Sequence, residues 1–236
     1  MSVVDNTGYG TDAWLLVAFC RTKLDVSGLP SFEVHLGGER MRYRADITAG
    51  SLKVPESRVI ADLLIRGIDG QEWDAAILDR NVLQARTAET ARRLARLIRS
   101  RLALMEADLW RLVRDGTGDT ATHAVLAAAV KHSRLLGDFL DLVVREQHRI
   151  FAKTLSTPLW DHYLDDCRSR DPDMPVWNES TRIRLRSSVF QILAQAGYID
   201  NTRSKTLQTV HIASQVTDYL EQHDESYVLR CIQVGP

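Results

Sequence analysis

The chain has few cysteines, almost no net charge and no long apolar run. Its three cysteines, Cys20, Cys167 and Cys231, are far apart and form no CxxC pair, which argues against a zinc site or a disulfide scaffold. The apolar run from Ala13 to Cys20 is eight residues, too short to cross a bilayer, and basic residues follow it rather than precede it. We therefore expect a soluble cytoplasmic protein with no membrane partner.

The motifs of the common enzyme classes are also missing. The sequence contains no HExxH, no GxSxG and no GxxxxGK[ST], and none of its seven histidines pairs with Cys or Asp at metal-ligand spacing. We expect no catalytic residues, no metal, no cofactor and no enzymatic activity.

Helical periodicity dominates what is present and predicts a mainly α fold of two lobes. The segment "DGTGD", residues 115–119, is the clearest break. It predicts an N-terminal helical domain over residues 1–115 and a C-terminal helical domain over residues 119–236. Ahead of the main helices, residues 13–25 predict a short apolar helix, and residues 29–44 an irregular connector.

The N-terminal domain resembles a helix-turn-helix arrangement. Helices are predicted from Pro55 to a stop at Gly67, from a capping box at Asp69 to about Leu78, and from Thr87 through residue 113. Three helices joined by short turns are typical of that motif.

After the break, residues 121–151 predict one long helix that is apolar on more than one face and therefore central to the fold.

The C-terminal end predicts a winged-helix-like unit at about residues 178–236. A one-faced helix over residues 182–196 should bury Val189 and Leu193 and expose Arg184 and Gln191. A strand at residues 198–199, a basic turn at residues 201–205 and a return strand at residues 207–212 would form a small β-hairpin. "YVLRCIQV" predicts a last strand. An α/β fragment whose hairpin only covers a core is the alternative.

The first candidate DNA-binding surface is an arginine stripe. Residues 80–114 contain nine arginines against three acids. At 100° per residue, the side chains of Arg92, Arg96 and Arg99 fall within about 60° of one another, with an apolar cluster on the opposite side of the helix. Arg93 completes this set of candidate phosphate contacts. A solvated helix face is the alternative.

The second candidate surface is the outward arc of the helix at residues 182–196. It holds Arg184, Ser187, Ser188, Gln191 and Gln195, hydrogen-bonding side chains that suit base edges in a major groove. In the turn that follows, Arg203 and Lys205 could touch an adjacent phosphate backbone or the minor groove. An uncharged surface helix is the alternative.

Four blocks of the sequence carry a family resemblance: "YRADITAGSLKVPESRVIADLLIRG", "NVLQARTAETARRLARLIRSRL", "AAAVKHSRLLGDFLDLVVREQ" and "VFQILAQAGYI". Together they resemble the BrxA family, small components of bacteriophage exclusion (BREX) defence systems. The resemblance implies a helical protein with helix-turn-helix or winged-helix parts, similar in part to NusB-like RNA-binding proteins. It also implies DNA binding rather than catalysis, within a system whose other proteins supply the enzymatic work.

The residues and the resemblance together predict a non-enzymatic accessory protein that binds double-stranded DNA largely through phosphates. Two alternatives remain open: an adaptor that docks other defence proteins through the arginine stripe, and an RNA-binding protein with a NusB-like surface. The sequence leaves the oligomeric state open, with a monomer slightly favoured.

Overall fold

A computed structural model describes residues 43–47 and 50–235 of the chain. Within these residues the secondary structure is helical, in agreement with the predicted mainly α class. The helices are α1 (Val54–Ile65), α2 (Gly70–Asp74), α3 (Ala88–Leu102), α4 (Ala107–Asp115), α5 (Gly118–His132), α6 (Arg134–Asp138), α7 (Arg145–Arg149), α8 (Pro158–Arg170), α9 (Glu179–Gln195), α10 (Ser214–Gln222) and α11 (Ser226–Ile232). Two π-helical turns, Ala75–Asp79 and Phe139–Val144, continue α2 and join α6 to α7.

Side-chain caps explain where several helices begin. The side chains of Thr87, Thr117, Ser133 and Asn178 each accept a hydrogen bond from the backbone N–H three residues on, at the starts of α3, α5, α6 and α9. Such caps satisfy a backbone donor that has no partner inside the helix. The predicted start at Thr87 is thus confirmed. Asp69 precedes α2 but makes no side-chain cap, so the predicted capping box is not formed.

Helix α5 lies at the centre of the fold, as predicted for this apolar segment. Except for Thr122, every residue from Thr120 to Val130 is buried. The helix packs against α1, α3, α4, α6, α10 and α11. Five alanines in this stretch keep the helix surface narrow, which lets neighbouring helices approach closely at the density of a protein interior.

The two long helices predicted from the sequence are each interrupted. Residues 103–106 separate α3 from α4: the indole N–H of Trp110 donates to the carbonyl of Leu102 at 2.8 Å, and the N–H of Glu106 donates to the hydroxyl of Tyr219 at 2.9 Å. Both bonds supply partners for backbone groups that a continuous helix would have satisfied. The other break falls at Ser133, whose extended backbone ends α5 and whose hydroxyl donates to Asp46 at 2.5 Å.

The predicted C-terminal β-hairpin is wrong, because the described residues contain no strand. Isolated antiparallel bridges join Ile199 to Leu207 and Thr154 to Thr206. The returning chain divides its pairing between two partners: the N–H of Leu207 donates to the carbonyl of Lys153 at 3.0 Å, and the next N–H turns back to Tyr198. A continuous ladder does not form, so the predicted winged-helix unit is not supported either.

The last predicted strand, "YVLRCIQV", is also wrong, since it forms α11. Val228, Cys231 and Ile232 are buried at helical spacing. The carbonyl of Ile232 accepts a hydrogen bond from the buried hydroxyl of Tyr198 at 2.5 Å, which secures the end of this short helix.

Residues on both sides of the predicted boundary at 115–119 contribute to one cluster of buried apolar side chains. The predicted division into domains over residues 1–115 and 119–236 stays a prediction. The predicted helix at residues 13–25 and most of the predicted connector lie outside the described residues. None of the helices in the described part of the chain has the length and apolar character needed to cross a membrane.

Candidate nucleic-acid interface

Helix α9 has the one-faced character predicted from its sequence. Leu185, Val189 and Leu193 are completely buried, whereas Arg184 and Gln191 are exposed. The predicted burial of Val189 and Leu193 and the predicted exposure of Arg184 and Gln191 are therefore confirmed. The buried face fixes the orientation of the helix and leaves a polar face directed outward.

A groove of about 400 Å³ lies between α9 and the turn that follows it. It brings together three of the residues predicted for this surface, Ser187, Gln191 and Lys205. The ammonium of Lys205 lies 5.6 Å from the centroid of the Phe190 ring. The walls are mostly hydrogen-bonding and cationic side chains: Thr157, Arg186, Ser187, Phe190, Gln191, Thr202 and Lys205.

The turn is held by its own acid, Asp200. One carboxylate oxygen accepts from the N–H groups of Asn201 and Thr206, and the other accepts from the hydroxyl of Ser204 at 2.6 Å. The bond from Ser204, with the backbone donors, lowers the pKa of Asp200. The carboxylate of Asp200 is thus hydrogen-bonded within the turn. The side chain of Arg203 is exposed and forms no ion pair with the described residues.

Two predicted residues of α9 occupy different surroundings from those expected. Ser188 is 6% exposed, so its predicted outward position is wrong; at 100° per residue it lies beside the apolar arc rather than opposite to it. Gln195 is exposed, but its side-chain oxygen accepts a hydrogen bond from the N–H of Leu52 at 2.8 Å. This bond connects the end of α9 to the segment that precedes α1.

The arginine stripe lies on α3, opposite the buried face predicted for it. Arg92, Arg93 and Arg96 are exposed and form no ion pair within the part of the chain that the structure describes. Arg99 is half-buried, with its guanidinium carbon 4.4 Å from the centroid of the Trp73 ring. The freely accessible stripe is therefore formed by the first three arginines, and Arg99 serves in packing through a cation–π contact.

The loop between α7 and α8 adds side chains to this surface that no local sequence pattern indicated. Thr157 lines the groove, and exposed Lys153 accepts, through its carbonyl, the N–H of Leu207. Arg186, also not indicated by such a pattern, lines the groove and pairs with Asp161 of α8 at 3.2 Å. The loop and the turn are about fifty residues apart in sequence, so local periodicity carried no signal for their meeting.

A separate group of buried polar residues lies at the C-terminal end of α3. Arg101 is 2% exposed, and its Nε and one terminal nitrogen have no hydrogen-bond partner, although the other donates to the carbonyl of Ser51 at 3.3 Å. Burial lowers the pKa of Arg101 to about 10, opposed by the charge of Asp46. Burial raises the pKa of Asp46 to about 6, despite the hydroxyl of Ser133 and the positive charge of Arg101.

The raised pKa of Asp46 predicts a fall in stability between about pH 4 and pH 6. Below its ordinary pKa of 3.8 the carboxyl is protonated in both folded and unfolded chains; as pH rises to about 6, the unfolded chain releases this proton first. The wild type should therefore lose up to about 3 kcal/mol relative to Asp46→Asn over this range. Urea unfolding of both proteins at pH 4.5 and pH 7 should show about 2 kcal/mol of this loss, because the unfolded carboxyl is already mostly ionised at pH 4.5. Equal changes in both proteins would contradict it.

The part of the chain that the structure describes contains no group of three or more His, Cys, Asp or Glu side chains placed to hold a metal ion. The two candidate surfaces carry other polar groups: amide, hydroxyl and lysine side chains line the groove at α9, and arginines form the stripe on α3. Side chains of these types bind anions and hydrogen-bonding edges.

Comparison with known proteins gives consistent matches over most of the chain. The model of the BrxA family matches residues 41–224. A BREX protein BrxA from Paramagnetospirillum magneticum strain AMB-1 is 52% identical over 194 residues, which are 82% of this chain and 98% of that protein. A BREX protein BrxA from Escherichia coli O9:H4 strain HS is 31% identical over 177 residues, 75% of this chain and 83% of that protein.

A solved structure has the same fold. The crystal structure of an uncharacterized protein from Magnetospirillum magneticum superimposes with a TM-score of 0.77 at 50% sequence identity. The match covers 82% of this chain and 100% of the other.

Proposed function

The chain belongs to the BrxA family, and we propose that it acts in a BREX-type phage-defence system as a non-enzymatic protein that binds double-stranded DNA. The observation that carries this proposal is the groove between α9 and its turn, where Gln191, Ser187 and Lys205 meet. Amide and hydroxyl groups on an exposed helix face suit base edges, and an adjacent lysine suits a phosphate.

In this proposal α9 is the helix that enters the major groove, as in a helix-turn-helix protein. Arg184, Ser187 and Gln191 follow one another at three- and four-residue steps and are all exposed. The side chains of Lys205 and Arg203 would bind the flanking backbone. Arg92, Arg93 and Arg96 would form a second set of phosphate contacts.

The test is a titration of the full chain with a labelled DNA duplex and an RNA duplex of the same sequence, each at two salt concentrations. We expect tighter binding to DNA, with log affinity falling against log salt at a slope of roughly −3 to −5 for a few neutralised phosphates. Tighter binding to RNA would favour the NusB-like alternative. No binding to either duplex would overturn the proposal.

Replacing Gln191 with Ala should remove sequence preference without changing the salt slope. A side chain that contacts a base edge contributes roughly 1–3 kcal/mol of discrimination but releases no counterion. Binding isotherms on preferred and random duplexes measure both quantities. Gln215→Ala, at an exposed position of α10, is the matched control. An unchanged preference in the Gln191 variant would exclude base contact by this side chain.

An adaptor that docks other defence proteins is the second candidate function. Val176 lies in the loop before α9 and is 74% exposed, and Ile183 lies in the first half of α9 and is 43% exposed. Exposed apolar side chains of this kind suit a protein partner. Loss of partner binding in Val176→Ser with intact DNA affinity would support this role.

A further inference from the structure

Phe151 is the most exposed large apolar side chain in the part of the chain that the structure describes, at 85%. It follows α7 with a backbone φ of 54°, in the left-handed region that L-residues with bulky side chains rarely adopt. Neither burial nor backbone preference therefore accounts for phenylalanine here.

The helix end that contains Phe151 has the hydrogen bonds of a Schellman motif. The N–H of Phe151 donates to the carbonyl of His148 at 3.0 Å, and the N–H of Ala152 donates to the carbonyl of Gln147 at 2.9 Å. In this motif the first of the two donor residues along the chain, here Phe151, adopts a left-handed backbone conformation, and this residue is usually glycine. The position is thus one where a side chain is a disadvantage to folding.

The same pair of hydrogen bonds ends three other helices of this protein, which gives an internal comparison. The left-handed position is Gly67 after α1, Gly197 after α9 and Asp224 after α10. Glycine is the usual residue there, and aspartate is among the side chains that tolerate the conformation best. Phe151 is the exception. Residues held in such strained conformations cluster at functional sites.

The chain around Phe151 leads directly into the candidate interface. Two residues later, the carbonyl of Lys153 accepts the N–H of Leu207, and the N–H of Leu155 donates to the carbonyl of Lys205. Phe151 therefore projects from the loop that is hydrogen-bonded to the turn carrying Arg203 and Lys205.

The charges of this loop favour an anionic partner. The guanidinium of Arg149 donates to both carboxylate oxygens of Glu146 at 2.7 Å. The charges of Arg149 and Glu146 are therefore paired with each other. Lys153 is exposed and has no ion pair with the described residues. Ile150, 55% exposed, adds a second apolar side chain next to Phe151.

A partner with an anionic surface and an apolar interior matches this arrangement. Duplex DNA has both, in its phosphate backbone and its stacked base pairs. We infer that Phe151 is a wedge: its ring inserts between two base pairs of the duplex held at the turn, partly unstacks them and bends the DNA. Phe and Ile are among the side chains that insert in this way from the minor groove, with kinks of about 20–90°. The inference rests on the DNA binding proposed above.

The experiment measures bending and unstacking separately from affinity. A duplex labelled at both ends reports its end-to-end distance by energy transfer, and 2-aminopurine within the site reports unstacking by increased fluorescence. With wild-type protein we expect shortening and a fluorescence increase. With Phe151→Gly both signals should be lost and affinity should fall about tenfold, since one stacking contact is removed. The salt slope should not change, because the side chain carries no charge.

The substitution to glycine is chosen because it relieves the left-handed strain, so the variant should fold at least as well as the wild type. Phe151→Asn is the second variant, because asparagine also tolerates this conformation, and it should behave like Phe151→Gly. Asp224→Gly is the matched control at the same motif position and should leave bending intact. Thermal melting verifies that all three variants are folded.

The outcomes separate the wedge from DNA binding itself. If the wild type binds duplex DNA without shortening or unstacking it, or if Phe151→Gly bends it as the wild type does, the wedge is wrong and DNA binding stands. If the wild type binds no duplex, both proposals fall together.

Discussion

Replacing Arg92 and Arg96 with alanine is expected to weaken binding to all DNA duplexes about equally and to flatten the salt slope by about two units. Both side chains are exposed, lie one helical turn apart on α3 and form no ion pair with the described residues. Each phosphate that an arginine neutralises releases counterions, so each lost contact removes about one unit of slope. Sequence preference should stay unchanged.

The measurement is a set of binding isotherms between 50 and 200 mM salt. A wild-type slope near −4 corresponds to a loss of affinity of about 250-fold over this range, and a slope near −2 to about 16-fold. The control is Arg66→Ala with Arg230→Ala, which removes the same formal charge. These arginines already pair with Asp62 at 3.3 Å and Asp141 at 3.0 Å. Unchanged affinity and slope in the α3 variant would mean that the stripe does not face DNA, and the adaptor function would then be favoured.

Replacing Trp160 with alanine should lower the free energy of unfolding by about 3–5 kcal/mol, the largest stability loss expected from a single substitution here. The side chain is completely buried and meets the rings of Phe139 and Tyr163 at centroid distances of 5.0 and 5.6 Å. Its indole N–H has no hydrogen-bond partner, so the loss comes from packing and the cavity alone.

Urea unfolding at neutral pH measures this loss, with Trp160→Phe as the control. Phenylalanine keeps an aromatic ring against Phe139 and removes the unpaired N–H, so its cost should be well below that of alanine. Equal costs for the two variants would contradict the packing argument, because they would show that ring contacts contribute nothing at this position.

The parts of the fold that the sequence predicted are those set by local patterns. The buried arc of α9 follows from apolar residues at three- and four-residue steps, and the start of α3 follows from the cap at Thr87. A buried face and a cap both depend on neighbours within one or two turns. They can therefore be inferred without knowing what the helix packs against.

The errors arise where a distant residue decides the outcome. The end of α3 at Leu102 depends in part on the hydroxyl of Tyr219, which lies more than a hundred residues later in the sequence. The predicted hairpin fails for the same reason, since Leu207 pairs with Lys153 instead of continuing along one partner. The apolar pattern of "YVLRCIQV" is compatible with both the helical and the strand periodicity. A short apolar segment of this kind takes the secondary structure that its surroundings allow.

The candidate site shows the same division. Helical angles predicted the exposure of Arg184 and Gln191, but could not show that Arg99 packs on Trp73 or that Gln195 bonds to Leu52. The contribution of the loop at residues 151–157 depends wholly on tertiary contacts. A single Phe at a position that favours glycine becomes recognisable only when the backbone is known.

The hydrogen bonds of Asp200 mean that the turn bearing Arg203 and Lys205 is ordered before any partner arrives. A flexible basic loop would lose conformational entropy on binding, whereas this turn has lost it during folding. The amide of Thr206 donates to Asp200 at 2.8 Å, and the amide of Ser204 donates to the side chain of Asn201 at 3.0 Å. Both amide protons should therefore exchange slowly with solvent in the free protein, and their protection should change little when DNA is added. Affinity would then be limited by how well the duplex adapts its shape to a rigid protein surface.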